Sequence, residues 1–115
     1  MTGYSELIVG VLVKDPDAVE RQEFPIRQAL PLTIGRASDN QIYLTDLMVK
    51  RHHCLIYAEG EQVYLEATLP PSSHTWINGT EVRDRCLLQF GDKILVGRTA
   101  FRFEQPPQSA EHIKE

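Results

Sequence analysis

Thr75-Trp-Ile-Asn-Gly-Thr-Glu-Val82 is the stretch that decides the fold class. Asn78-Gly79 stands between Trp76-Ile77 and Thr80-Glu81-Val82. Asn and Gly tolerate the positive φ that both central positions of a type I′ turn demand, and such a turn joins two antiparallel strands. The segment therefore reads as a β-hairpin from local chemistry alone.

Outward from this hairpin, short bursts of alternating or β-branched residues recur: Leu7-Ile-Val-Gly-Val-Leu-Val13, Leu32-Thr-Ile34, Gln41-Ile-Tyr-Leu44, Cys54-Leu-Ile-Tyr57, Gln62-Val-Tyr-Leu65, Lys93-Ile-Leu-Val96 and Ala100-Phe-Arg-Phe103. Each has the length of a strand. Turn residues separate them at short intervals, in Asp15-Pro16-Asp17, Ala37-Ser-Asp-Asn40, Pro70-Pro-Ser-Ser73 and Gly91-Asp92, which is the spacing of a sandwich or barrel. Helix-period segments of useful length are missing, as are internal repeats and low-complexity tracts. The chain reads as all-β.

With 115 residues, 42% of them apolar, the chain has the material for one core and no room for a second domain. A charged fraction of 24% and a net charge of −4 exclude both the basic excess of a nucleic-acid binder and the bias of a disordered tail. Cys54 and Cys86 lack the spacing of a zinc knuckle or a redox pair. They read as two reduced, buried thiols, with a disulfide between them possible but unsupported. The apolar run Leu7 to Val13 is too short to span a membrane and has neither a basic flank nor a small-residue cleavage site, so a cytoplasmic protein without membrane insertion is expected. The segment Gln105 to Glu115, with two prolines and then polar residues, is expected to fray or to continue as a linker.

Enzymatic constellations do not stand up. The sequence has no Gly-rich phosphate loop, no nucleophile elbow and no His-Glu metalloprotease helix, so no catalytic residue and no cofactor is expected. His52, His53 and Cys54 are metal-ligand types, but neighbours on a strand point to opposite faces, so at most His52 and Cys54 could converge, and no metal site is expected. Trp76, Phe90, Phe101 and Phe103 read as core or sheet surface. Two loops carry cations in an otherwise acidic chain. Gly35-Arg36 puts a guanidinium at a loop tip after a short apolar strand, and Lys50-Arg51-His52-His53 precedes the strand from Cys54. If these loops meet, they form a local anion site.

At this point the chain resembles the forkhead-associated (FHA) domain family. Leu32 to Glu104 follows that family's order of motifs with Gly35-Arg36, Asn40-Gln-Ile-Tyr-Leu44, Val49-Lys-Arg-His-His53, Ser73-His-Thr-Trp-Ile-Asn-Gly79 and Leu88-Gln-Phe-Gly-Asp-Lys-Ile-Leu-Val-Gly97. The resemblance implies an FHA/SMAD-like β-sandwich of two sheets with roughly eleven strands, its ligand held by loops at one end and its termini near the other. It also implies a domain over residues 1–105, with the motif-bearing part at 32–104 and a flexible tail or linker at 106–115.

By resemblance, Arg36 contacts the phosphate of a phosphothreonine, whose charge of about −1.5 to −2 and three acceptor oxygens suit a guanidinium fork. The family has a phosphate-binding Ser where this chain has Lys50, whose ammonium substitutes charge for a hydroxyl. It has an Asn-Gly where this chain has Ser73 and His74. A Ser hydroxyl replaces an amide that both donates and accepts, removing at least one hydrogen bond, worth about 0.5–1.5 kcal/mol. Thr75 and Arg51 match the remaining loop positions, and the resemblance gives Gly35, His53, Asn78 and Gly79 structural roles. The function so implied is an adaptor that binds a phosphothreonine protein or peptide, either a segment of its own longer chain or the substrate of a Ser/Thr kinase. The alternatives are a degenerate domain that binds partners without phosphate and a piece of a larger assembly.

Overall fold

The computed structural model describes residues 7–68 and 74–106, and in these the chain forms eleven strands in two sheets. The strands are β1 (Ile8–Lys14), β2 (Gln22–Arg27), β3 (Leu32–Gly35), β4 (Ile42–Tyr43), β5 (Cys54–Glu59), β6 (Gln62–Ala67), β7 (Thr75–Ile77), β8 (Thr80–Glu81), β9 (Arg85–Leu88), β10 (Lys93–Val96) and β11 (Thr99–Glu104). One sheet has the order β2-β1-β11-β10-β7-β8 and the other β4-β3-β5-β6-β9. All pairings are antiparallel except β3 with β4.

Period-2 patterning fills the space between the sheets. Leu12, Phe101, Phe103 and Ile94 from the first sheet meet Ile34, Ile56, Leu65 and Ile42 from the second, all essentially without solvent exposure. β1 departs from simple alternation because its other face is covered too. Val11 and Val13 stand in register with Glu104 and Arg102, and the charged side chains of this face link as Arg21–Glu23, Arg21–Glu104 and Arg102–Glu104. Both valines are buried, which accounts for the continuous apolar run in the sequence.

Two strands were not legible in the sequence. β2 contains Pro25 and two charged residues, yet it forms the outer edge of its sheet, where a missing backbone N–H is tolerated, and it turns Phe24 and Ile26 inward. β9 is the short edge strand Arg85–Leu88, with Leu88 buried and Leu87 exposed. The expected strand Gln41 to Leu44 shortens to two residues. The hairpin forms as expected: Asn78 and Gly79 have φ of 51° and 86°. Asn78 then does more than turn the chain, because its amide spans to β10, accepting from the Lys93 N–H and donating to Asp92 Oδ1, each at 2.9 Å.

Among the thiols, Cys54 is buried, and burial pushes its pKa up to about 12. Cys86, expected to be buried, is only half-buried, because it lies on the edge strand β9. Neither is in a disulfide. Phe101 and Phe103 are core, whereas Phe90 is half-exposed and stacks on Phe103 with ring centroids 5.1 Å apart. No helix among the described residues is long and apolar enough to cross a membrane.

The register fixes which loops are neighbours. Thr75 lies opposite Val96, where β10 turns into β11, and the start of β11 lies beside the end of β1. In the other sheet the end of β3, the start of β5 and the end of β6 lie side by side. The loops β3–β4 and β4–β5 and the two flanks of the β6–β7 connection, Thr68 and His74, therefore converge at one end, and the start of β1 and the end of β11 lie at the other. The tail residues 107–115 and the turn at 70–73 lie outside the described residues.

Candidate functional site

The two cationic loops meet through their backbones. Arg36 N donates to Lys50 O at 2.9 Å and Ala37 N to Arg51 O at 3.0 Å, so the β3–β4 and β4–β5 loops continue the pairing of β3 with β5 beyond the strands. Gly35 makes this approach possible. A Cβ there would collide with the carbonyl group of Arg51 and crowd the amide nitrogen of Asn40 at 2.8 Å. Asn40 is buried and donates to both Ala37 O and Arg51 O, at 2.7 and 2.9 Å, closing the polar loop on itself.

Arg36 is held at its base. Its Nε donates to Val49 O at 2.9 Å, and among the described residues the guanidinium makes no other bond, which leaves both terminal nitrogens to donate outward. Arg51 has the opposite division of labour: its carbonyl is locked into the loop junction, while its side chain is exposed. His52 is exposed as well and lies 3.3 Å from Asp39. Cys54, one strand position pair away, is buried, so these two groups do not converge.

His53 is the internal brace. It is 1% exposed. The Lys50 backbone N–H donates to its Nδ1 at 2.9 Å, so the neutral ring carries its proton on Nε2 and donates it to Thr75 Oγ1 at 2.7 Å. One imidazole thus ties the β4–β5 loop of one sheet to β7 of the other. Burial holds its pKa below the usual histidine range, and the nearby Lys50 charge adds to that effect. His53 N and O also bond Ile34 O and Thr68 N, at 2.9 and 3.0 Å.

The Lys50 side chain makes a tie within the five-stranded sheet. Its Nζ donates to Thr68 O at 3.1 Å, joining the β4–β5 loop to the start of the β6–β7 loop. His74 is half-buried, its ring meets Trp76 edge-on at 6.1 Å, and its carbonyl accepts from Gly97 N at 2.9 Å. Thr75 is buried under His53. Arg36, Lys50, Arg51, His74 and Thr75 are therefore gathered at the converging loops. Ser73 lies outside the described residues. Asn78 and Gly79 stand apart at the β7–β8 turn.

Residues that the sequence reading gave no site role complete the frame. Asp46 accepts from Met48 N through Oδ1 at 2.9 Å and from Arg98 N through Oδ2 at 2.7 Å, which fastens the β4–β5 loop to the β10–β11 turn. Those bonds, the one from Met48 foremost, hold its carboxyl below the ordinary range. A lone Asp in a loop carries no pattern that reveals this, and the partner at Arg98 is far along the chain. Asn40 was visible as part of a motif, but its two acceptors were not.

What the site offers chemically is a set of cationic donors, Arg36, Lys50 and Arg51, on a frame fixed by backbone hydrogen bonds. It contains no group of three or more metal-ligating side chains among the described residues. The family model of the FHA domain matches residues 32–97. Among solved structures, the chain is similar to an FHA domain solved in a study of phosphothreonine-dependent FHA interactions, at 26% identity and a TM-score of 0.71, covering 85% of this chain and 98% of that one. It is similar to the FhaA FHA domain, solved with the intracellular domain of another protein, at 26% identity and a TM-score of 0.70, covering 83% and 99%. It is also similar to Mycobacterium tuberculosis EmbR, solved with a low-affinity phosphopeptide, at 26% identity and a TM-score of 0.72; the match covers 84% of this chain and 24% of EmbR. No curated protein matches.

Proposed function

Because the chain belongs to the FHA domain family, we propose that it is a phosphopeptide-binding adaptor that takes phosphothreonine on a partner protein through the loops around Arg36. The observation that carries this reading is the state of Arg36: its Nε is fixed on Val49 O, its terminal nitrogens are uncommitted among the described residues, and it stands where the cationic Lys50 and Arg51 join the same loops. A phosphate dianion suits that arrangement better than a carboxylate does, because it brings three acceptor oxygens to several donors. The similar FHA domain from a study of phosphothreonine-dependent interactions, and EmbR solved with a phosphopeptide, support the same reading.

Lys50 in place of the family's Ser keeps a donor at the phosphate and adds charge, which favours a phosphate reader over a phosphate-independent module. Arg51, His74, Thr75 and Ser73 complete the ligand side in this proposal, and Gly35, His53, Asn78 and Gly79 shape it. The module is residues 1–105: β1 and β2 lie outside the matched range yet belong to the six-stranded sheet. It acts in the cytoplasm by binding and performs no catalysis.

The test is a ¹⁵N–¹H titration with a phosphothreonine peptide pool and its unphosphorylated twin, repeated on Arg36→Ala. Loss of one charge-assisted pair, about 1.5–3 kcal/mol, corresponds to a loss of roughly ten- to a hundredfold in phosphate-dependent affinity with the amide spectrum otherwise retained. Equal affinity of wild type and Arg36→Ala would overturn the assignment of the site.

A further inference from the structure

The outer face of the six-stranded sheet departs from the polar surface that a solvated sheet face usually presents. Ile77, Ile94 and Phe101 point into the core, so their neighbours Trp76, Leu95 and Ala100 point outward, and the register sets these three side by side across β7, β10 and β11. Leu95 is 38% exposed, and with Pro16, Trp76 and Ala100 it lines a groove of about 650 Å³. The outer face of the other sheet closes on itself instead: Arg85 lies 4.1 Å from the centre of the Tyr64 ring, donates to Tyr57 Oη at 2.9 Å and pairs with Glu59 at 3.5 Å. An apolar row left open in this way marks a contact surface.

The charges around the row point to what covers it. The charged residues lining the groove are Asp17, Lys93 and Arg102. Arg102 pairs with Glu104 at 2.9 Å, and Glu81, in register with Trp76, pairs with Arg83 at 3.8 Å. Asp17 and Lys93 are both exposed, and neither side chain makes an ion pair or a hydrogen bond among the described residues. They stand on either side of β11. Lys93 is on β10, and Asp17 follows the end of β1, where Asp15 N donates to Ala100 O at 2.8 Å. One uncommitted charge of each sign beside an apolar row makes the face self-complementary. A two-fold interface requires that property, because residue i of one copy meets residue j of the other and the reverse.

We propose that two copies of this chain associate face to face over the row of Trp76, Leu95 and Ala100, about a two-fold axis that brings Lys93 of each copy to Asp17 of the other. The groove spans four strands, about 14 Å across and at most about 20 Å long, so the interface falls well below the roughly 800 Å² per partner of a stable complex. The dimer is therefore transient, with a dissociation constant on the order of 100 μM. Arg36, Lys50 and Arg51 are on loops of the other sheet, so the association needs no phosphate.

The experiment is sedimentation equilibrium of the full chain without peptide, from about 10 μM to about 1 mM, across which the apparent mass should rise from one chain toward two. Leu95→Glu puts an unpaired carboxylate into the buried row and should weaken the dimer by roughly tenfold or more. Asp17→Lys and Lys93→Glu each set like charges against each other at both contacts, and each should weaken it by roughly fivefold. An equimolar mixture of those two variants restores both pairs, so it should associate about as tightly as the wild type. Each variant is checked for a retained amide spectrum. A wild type that stays monomeric across the range, a dimer that Leu95→Glu leaves intact, or a mixture no tighter than its components overturns the inference. None of these outcomes bears on the phosphothreonine reading.

Discussion

The two halves of the converging loops are held in different ways. On one side, the β3–β4 and β4–β5 loops are joined backbone to backbone, Arg36 N to Lys50 O and Ala37 N to Arg51 O, with Gly35 allowing the contact and Asn40 sealing it. On the other side, the backbone bond from Thr68 N to His53 O is supplemented by side-chain struts, Lys50 Nζ to Thr68 O and His53 Nε2 to Thr75 Oγ1. Backbone bonds depend little on residue identity once the glycine is in place, whereas side-chain struts depend on it entirely. The half that matches the family's Gly-Arg is the backbone-held half. Lys50, where the chain departs from the family, supplies one of the side-chain struts, so there a changed residue changes the mooring.

The strongest way to break this contrast is to remove the imidazole. His53→Ala deletes a buried side chain, two hydrogen bonds and the tie between the sheets, and should cost about 2–4 kcal/mol in chemical denaturation. A loss under about 0.5 kcal/mol would mean that the β4–β5 loop does not need its brace.

A smaller effect is expected at Lys50. Lys50→Ser restores the family's residue but cannot reach Thr68 O, so stability should fall by about 0.5–1.5 kcal/mol. Hydrogen exchange should quicken at Thr68 while the amides of Arg36 and Ala37 stay protected. Equal acceleration on both sides would erase the distinction between the two halves.

The smallest effect sharpens the role of the His53 tautomer. Its folded pKa lies below the value of about 6.5 of a free histidine, so the unfolded chain takes up the proton first. The stabilisation from keeping the ring neutral is therefore full above about pH 6.5 and is lost as pH falls through that value toward the folded pKa, at a fraction of the about 1.4 kcal/mol per pH unit that one whole proton would give. Thermal denaturation between about pH 7 and pH 5 should show a steeper decline in wild type than in His53→Gln, and identical slopes would assign the acid sensitivity to other groups.

Particular residues show how far the sequence could be read. Asn78-Gly79 announced its hairpin because positive φ at two adjacent positions is a local demand, and the strands with period-2 patterning were visible for the same reason. β2 was hidden because Pro25 and its charges argue against a strand unless it lies at an edge, which only pairing with β1 reveals. The continuous run in β1 marked a strand without showing that ion pairs cover its second face. At the site, Arg36, Lys50 and Arg51 were legible as cations in motif positions. Asp46, Asn40 and Thr68 O were not, because their partners are set by the folded loops.

By itself the sequence determined an all-β chain, its turns, the family whose motifs it carries and the cations that motif order aligns. These depend on local backbone preference and on residue type. Only the tertiary structure decided that Lys50 reaches Thr68, that His53 keeps its proton on Nε2 facing Thr75, and that Trp76, Leu95 and Ala100 stand side by side on an outer sheet face. Those depend on distances between segments far apart in the chain, which close only when the two sheets pack and bring their loops to one end.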